Sequence, residues 1–416
     1  MDGSKEKALN RRGFLSRAGM AGAAVGAGII AGDPTRAWAQ VSGAALPGTW
    51  PAKFDPTSTE LEYNPRDSPR PGGKIHEFNI ELSIVPQEIV PGIEFHAFAY
   101  NKTVPGPEVR VPEGDWVMAN FTNNSPDLHT IHWHGMMAPN EMDGVPLGTQ
   151  WPVGPGQTFR YLFRAQPSGT HYYHCHNMTP LHIQAGMYGP LIIDAKDDIV
   201  RRFFPYEREY TLCLSEIDTN MVRDQMNEMV GMMSTMDAMT KSASLMREMN
   251  GRMMGWFYDK ADFVKAVKSG YVPPYMASMT GMNQPPNFNF FMINGKSYPM
   301  TDEMLIRRGE NIRVRLIGAG SMPHFMHLHG HDFWHVCQDG SPLGSPVRMN
   351  TIPIFPGTTS DIIIRGTNPG YWHFHDHSDL GTTNNGQFPG GMMTMLTYED
   401  AEAAGVTFHP MVAVSS

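Results

Sequence analysis

The chain has 416 residues, 41% hydrophobic and 18% charged, with 42 glycines, 34 prolines and a formal net charge of −9. The apolar share excludes disorder, the lack of triplet or heptad repeats excludes collagen and coiled coil, and the acidity argues against nucleic acid as a partner. Turn formers scattered among short strand-like runs point to an all-β protein with more than one domain.

Residues 1–39 have the pattern of an export signal. Asn10-Arg11-Arg12-Gly13-Phe14-Leu15 resembles the twin-arginine signal, which addresses proteins exported already folded. An Ala/Gly-rich run from Ala18 to Gly32 supplies the apolar region, and Ala37-Trp38-Ala39 has the small residues of a cleavage site. That run is too short to span a bilayer and no later segment is long enough, so no membrane span is expected. The expected location is periplasmic or secreted. Residues 40–71 form an extension, 72–205 a first β domain, 206–400 a second, and 401–416 a tail.

Of the eighteen histidines, fifteen fall into four short clusters. The first domain carries His129-Thr130-Ile131-His132-Trp133-His134-Gly135, then His171-Tyr172-Tyr173-His174-Cys175-His176 followed by His182. The second carries His324-Phe325-Met326-His327-Leu328-His329-Gly330-His331 with His335, then His373-Phe374-His375-Asp376-His377. His-x-His spacing puts both imidazoles on one face of a strand, and imidazole suits copper, zinc and iron. A metal centre is therefore expected.

The clusters expose an internal duplication. Gly114 precedes His129 and His132 by 15 and 18 residues, and Gly309 precedes His324 and His327 by the same distances. Gly169 stands five residues before His174, as Gly370 stands five before His375. After the first glycine of each copy the period-two pattern predicts a strand, with Trp116 and Met118 on its apolar face in one and Ile312, Val314 and Leu316 in the other. Helix signals between His134 and His174 are too few for a βαβ unit, so both copies read as sandwiches.

The copies differ in one place. Around Cys175, the first offers His129, His182 and, in His182-Ile183-Gln184-Ala185-Gly186-Met187, a thioether. Two imidazoles, a thiolate and a weak axial Met are the ligands of a blue, type 1 copper. In the second copy Asp376 stands at the Cys175 position and Gln387, five before Met392, at the His182 position, so only His324 and Met392 persist. Cys213 and Cys337 lie in strand-like runs and read as buried thiols, since three cysteines build no disulfide framework.

Between the Cys213 strand and Asn287-Phe288-Asn289-Phe290-Phe291, residues 221–254 hold eleven methionines. This predicts a helical insertion at about 220–285. Its methionines either fill apolar gaps and subunit contacts or gather Cu(I) on a soft thioether surface.

On these motifs the sequence resembles the two-domain multicopper oxidases, or two-domain laccases, of the subtype with its type 1 copper in the N-terminal domain. The resemblance covers nearly the whole chain after the signal. It implies two cupredoxin-like Greek-key β-sandwiches and four coppers per chain, one type 1, one type 2 and two type 3. It also implies electron transfer from a reducing substrate to O₂, giving water. Carried over motif by motif, His132 and His327 would hold the type 2 copper. The type 3 pair would share His134, His174, His176, His329, His375 and His377. Asp143, in Met142-Asp143-Gly144, matches the family's acidic residue near the type 2 copper, so turnover is expected to rest on Asp143, Cys175 and His182.

One departure is that Cys175 and His182 are seven residues apart, where the larger three-domain oxidases have five. His171, His331, His335 and His373 read as structural or supporting residues, and His76, His96 and His409 as surface residues. The resemblance further implies a homotrimer pairing the first domain of one chain with the second of its neighbour, the alternative being a monomer whose own two domains clasp the cluster. The donor stays open among phenols, aromatic amines, Cu(I), Mn(II) and a small redox protein. Copper nitrite reductases share the two-domain plan and a loop like Met178-Thr179-Pro180-Leu181-His182, but need only three histidines at a second, mononuclear site. A copper carrier would not need the second copy's His-x-His pairs.

Overall fold

The computed structural model describes residues 73–146, 148–223 and 286–407. The export signal, the extension and nearly all of the Met-rich stretch lie outside the described residues, as does His409. No helix among the described residues is long and apolar enough to cross a membrane.

Eight strands come first: β1 (Ile75–Val90), β2 (Ile93–Tyr100), β3 (Val109–Pro112), β4 (Trp116–Asn123), β5 (His132–His134), β6 (Thr158–Arg164), β7 (Gly169–His174) and β8 (Tyr188–Asp194). They form two four-stranded sheets, ordered β2-β1-β4-β6 and β3-β8-β7-β5. Phe98, Phe121, Trp133, Tyr161 and Tyr173 fill the core between them. On β4 the fully buried face is Val117, Ala119 and Phe121, while Met118 is half-buried beside Asn120 and Thr122. Trp116 is buried as expected, but from Met118 on the apolar parity is the opposite of the expected one. The polar side chains of Asn120 and Thr122 decide which face meets water.

Two short helices, α1 (Thr179–His182) and α2 (Ile199–Phe203), flank β8 among the described residues. Eleven more strands follow: β9 (Arg208–Ile217), β10 (Phe290–Ile293), β11 (Met304–Ile306), β12 (Asn311–Gly318), β13 (His324–Leu328), β14 (Phe333–Gln338), β15 (Ser341–Met349), β16 (Thr351–Ile354), β17 (Thr359–Arg365), β18 (Tyr371–Asp376) and β19 (Met393–Tyr398). They make a six-stranded sheet, β10-β9-β12-β17-β14-β15, and a five-stranded one, β11-β19-β18-β13-β16. The core between them includes Ile312, Val314, Leu316, Phe333 and Phe374. The fold is all-β and built of sandwiches, as the sequence predicts.

The duplication is repeated in the backbone. Gly114 (φ +84°) and Gly309 (φ +89°) make matching left-handed turns before β4 and β12, a conformation that glycine reaches without a Cβ penalty. Strand register repeats too. The antiparallel pair β5–β7 sets His132 opposite His174, and β13–β18 sets His327 opposite His375. Directly opposed residues have neighbouring side chains on one face, so register alone gathers histidines from two strands.

A buried ionic knot joins the sandwiches. Thr170 on β7 donates to Asp361 on β17 at 2.7 Å, and Asp361 also accepts from Arg313 and Arg315 on β12. Burial alone would raise the Asp361 carboxyl, but the two guanidiniums hold it below the usual range. β7, which leads into His174 and Cys175, is thereby anchored in both sandwiches.

Candidate metal centre

Cys175 follows β7 directly and is buried with His129 and His182. Its Sγ lies 3.7 Å from Nδ1 of His129 and 3.3 Å from Nδ1 of His182. The helical turn α1 carries His182 back over the thiol, which is how a spacing of seven is accommodated. Met187 is also buried, and its carbonyl accepts the Cys175 amide at 3.2 Å. The three converging ligand atoms lie within 4.8 Å of one another, a separation suited to one ion with bonds of roughly 2.0–2.3 Å.

Both rings turn Nδ1 inward and Nε2 outward. Nε2 of His129 meets the Ser125 hydroxyl at 2.8 Å, and Nε2 of His182 meets the Asp127 carboxylate at 3.2 Å. Burial works against a charge on His182, but the neighbouring Cys175 and Asp127 outweigh it and raise the ring to about 9. His129 goes the other way, held well below its ordinary value by burial and by the charge on His182.

Four histidines of the first sandwich form a second group. Ring centroids of His132 lie 5.5, 5.2 and 5.4 Å from those of His134, His174 and His176. Nδ1 of His132 donates to the Asp143 carbonyl at 2.7 Å, and Nδ1 of His174 to the Cys175 carbonyl at 3.0 Å. A carbonyl only accepts, so in the neutral ring each bond leaves Nε2 without a hydrogen and able to bind a metal; that of His174 lies 3.4 Å from Nδ1 of His134. Burial, with His132 next in effect, lowers His134 to about 4, and burial lowers His174 to about 3, so both rings stay neutral.

The second sandwich repeats the pattern. His327 stands 5.1, 5.8 and 5.4 Å, centroid to centroid, from His329, His375 and His377. Nδ1 of His327 donates to the Asn350 carbonyl and Nδ1 of His375 to the Asp376 carbonyl. Nε2 of His329 and Nε2 of His375 approach to 3.0 Å. The quartets stay apart: among the described residues no hydrogen bond or ring contact joins them. His176, His329 and His377 are exposed.

Asp143 caps the 3₁₀ turn Asn140–Met142, with its Oδ1 3.3 Å from Nδ1 of His132. Gly144 lets this segment close in. Its φ is +80°, and a Cβ there would stand 1.9 Å from the Ile131 carbonyl oxygen.

The remaining histidines have other partners. His331 bonds the Tyr398 hydroxyl at 2.6 Å, and His335 donates to the Cys337 carbonyl at 2.8 Å. His171 is buried among backbone, and the exposed His373 flanks His329. His96 is exposed, whereas His76, expected as a plain surface residue, pairs with Asp115 at 2.8 Å. Cys213 and Cys337 are buried free thiols, and burial pushes both well up.

Sequence reading missed Ser125, Asp127 and Glu216. The first two sit in the turn-like Asn123-Asn124-Ser125-Pro126-Asp127, four and two residues before His129, a faint signal. Glu216 had none.

The family described as multicopper oxidase matches this chain at residues 87–198 and again at 271–398. The crystal structure of a blue copper oxidase from Nitrosomonas europaea is 33% identical, covers 82% of this chain and 90% of its own, and superposes with a TM-score of 0.63. A second solved structure, the multicopper oxidase mgLAC, is 30% identical with the same coverages and a TM-score of 0.64. Copper resistance protein A of Pseudomonas syringae pv. tomato is 28% identical over 310 residues, 73% of this chain and 48% of that protein. The chain spans about half the length of the curated relatives it matches.

Proposed function

The chain belongs to the multicopper oxidase family, and from that premise we propose that it couples one-electron oxidation of a donor to the four-electron reduction of O₂ to water. His129, Cys175, His182 and Met187 would hold a type 1 copper. His132 and His327 would hold a type 2 copper, and His134, His174, His176, His329, His375 and His377 a type 3 pair. Bound copper supplies one-electron redox chemistry at the first site and O₂ reduction at the cluster. The observation that carries this reading is the repeated register, His132 opposite His174 and His327 opposite His375, with matching Nδ1 bonds to carbonyls. A mononuclear second site, as in a nitrite reductase, would need no such matched quartets.

The protein's own residues then do three things. Cys175 is bonded through its backbone to His174 and His176, and Nδ1 of His174 holds the Cys175 carbonyl, so one short path links the two sites. Asp143 steadies the His132 ring and places a carboxylate that would pass protons on to where O₂ reduction consumes them. Burial of His129, Cys175 and His182 excludes water from the thiolate.

The separated quartets favour a homotrimer. Each set is half of one cluster, and its exposed members need a partner face; a head-to-tail contact that closes gives a ring. The domain bounds 72–205 and 206–400 go with this reading, as do export by the twin-arginine route and a periplasmic location. The donor is a phenol, an aromatic amine or Cu(I). The test is metal analysis with O₂ and nitrite uptake across a donor panel. Four coppers per chain and donor-dependent O₂ uptake support it; two coppers with nitrite uptake would replace it by nitrite reduction.

A further inference from the structure

Both imidazoles facing Cys175 are held from behind by one five-residue stretch, Asn123 to Asp127, at the end of β4. The Asn123 amide nitrogen donates to the carbonyls of Asp127 (2.6 Å) and Val153 (2.9 Å). Carbonyls only accept, so the Asn123 amide cannot be turned over, and its Oδ1 must face Ser125. That oxygen accepts the Ser125 hydroxyl at 2.8 Å and the Ser125 amide at 2.9 Å. Having given its one proton to Asn123, the Ser125 oxygen can only accept from His129. Nε2 of His129 therefore carries the hydrogen, and its Nδ1 is bare towards the thiol.

The other arm is shorter. One Asp127 oxygen accepts the Leu128 amide at 2.7 Å, and the other receives Nε2–H of His182. His182 is thereby presented through Nδ1 as well. Asn123, Ser125, His129 and His182 are fully buried and Asp127 nearly so, leaving little water to substitute for a lost partner.

We propose that Asn123, Ser125 and Asp127 form one positioning device that fixes which ring nitrogen of His129 and of His182 meets the metal beside Cys175. It rests on the type 1 assignment above for the identity of the metal, but not for the ring orientations. The Asp127 carboxylate has a second role, placing a negative charge on the far side of His182 that favours the more positive metal state.

The test uses the full-length protein and four variants, Ser125→Ala, Ser125→Thr, Asp127→Asn and Asn123→Asp. Copper(II) alone is titrated against a competing chelator, following the thiolate-to-copper band. Histidine nitrogen NMR of the metal-free protein reads the ring forms directly. In the parent both rings should carry a hydrogen on Nε2. Ser125→Ala should let His129 sample both forms and weaken copper(II) about 10–100-fold at this site. Asp127→Asn removes the charge and leaves one accepting oxygen where the Leu128 amide and His182 each used one, so it should loosen the His182 ring form and shift the reduction potential upward. Asn123→Asp, which puts an acceptor against two carbonyls, should reproduce the Ser125→Ala effect, and Ser125→Thr should rescue it. Cluster copper content unchanged from the parent shows that the variants fold. Unaltered ring forms and copper affinity in Ser125→Ala and Asn123→Asp would overturn the device while leaving the oxidase reading intact. A parent without a thiolate-to-copper band would sink the type 1 assignment instead, with the metal-free NMR still judging the device.

Discussion

Nδ1 of His324 lies 3.0 Å from the Asp376 carboxylate, just where Nδ1 of His129 faces Cys175 Sγ at 3.7 Å in the other sandwich. The second copy has closed its metal seat with a direct hydrogen bond. Asp376 is further held by the Phe325 amide and the Ser378 hydroxyl, and Glu216 takes the outer nitrogen of His324 at 3.1 Å. Glu216 also accepts from the amides of Ser321 and Met322. A buried acid–imidazole–acid triad stands where a blue copper would be. Gln387, which equal spacing to Met392 sets at the His182 position, is exposed in a turn.

Restoring the thiolate alone should therefore fail. Asp376→Cys is expected to show no second intense blue band, because His324 would be the only imidazole within reach. Absorption spectra of copper-loaded parent and variant decide it, and a doubled blue intensity would count against this account of the triad.

The triad should also mark stability against pH. Burial disfavours a charge on His324, but Asp376 and Glu216 outweigh it and raise the ring to about 9, against roughly 6.5 in an unfolded chain. Because the folded value is the higher, the stabilisation is complete below about pH 6.5 and is lost as pH rises through about 9. His324→Gln should cost about 3 kcal/mol at pH 6, the price of leaving buried carboxylates unpaired. The gap from the parent in denaturant midpoint should shrink steadily towards pH 10. A gap independent of pH would show that the triad is not held by charge.

Cys175→Ser should abolish the blue band and remove one copper of four, leaving the quartets loaded. Turnover with any donor should fall by at least about a thousandfold, since the hydroxyl is a poor copper ligand and the path through Cys175 is cut. Metal analysis with steady-state O₂ uptake checks both halves, and appreciable residual oxidation would point to a different route for electrons.

Assembly can be tested by complementation. One variant carries His132→Ala and His134→Ala, the other His327→Ala and His329→Ala. Unfolded and reassembled together, a ring with clusters shared between chains regains part of its oxidase activity, because some interfaces pair two intact halves. A monomer regains none. Sedimentation of the active, copper-loaded protein at the monomer mass would end the trimer proposal.

The histidine pattern was legible in the sequence because its causes are local. Alternation along a strand puts His132 with His134 and His327 with His329, and Cys175 is covalently placed between His174 and His176 whatever the rest of the chain does. Spacings between Gly114 and His129 and between Gly309 and His324 were enough to reveal the duplication, since matched turns open matched strands. The tertiary structure decided what those spacings could not. The interval from Cys175 to His182 is seven residues wound through α1, while that from Asp376 to Gln387 is eleven and runs through an Asn/Gly turn, so equal distance to a methionine did not mean equal position. Polar Asn120 and Thr122, not the apolar Met118, chose the outer face of β4. Glu216 reaches His324 from β9 across 108 residues, and the ring orientations depend on acceptors such as Val153 and Asn350. Hydrogen-bond partners are set by which strands and loops fold against one another, and no periodicity along the chain records that.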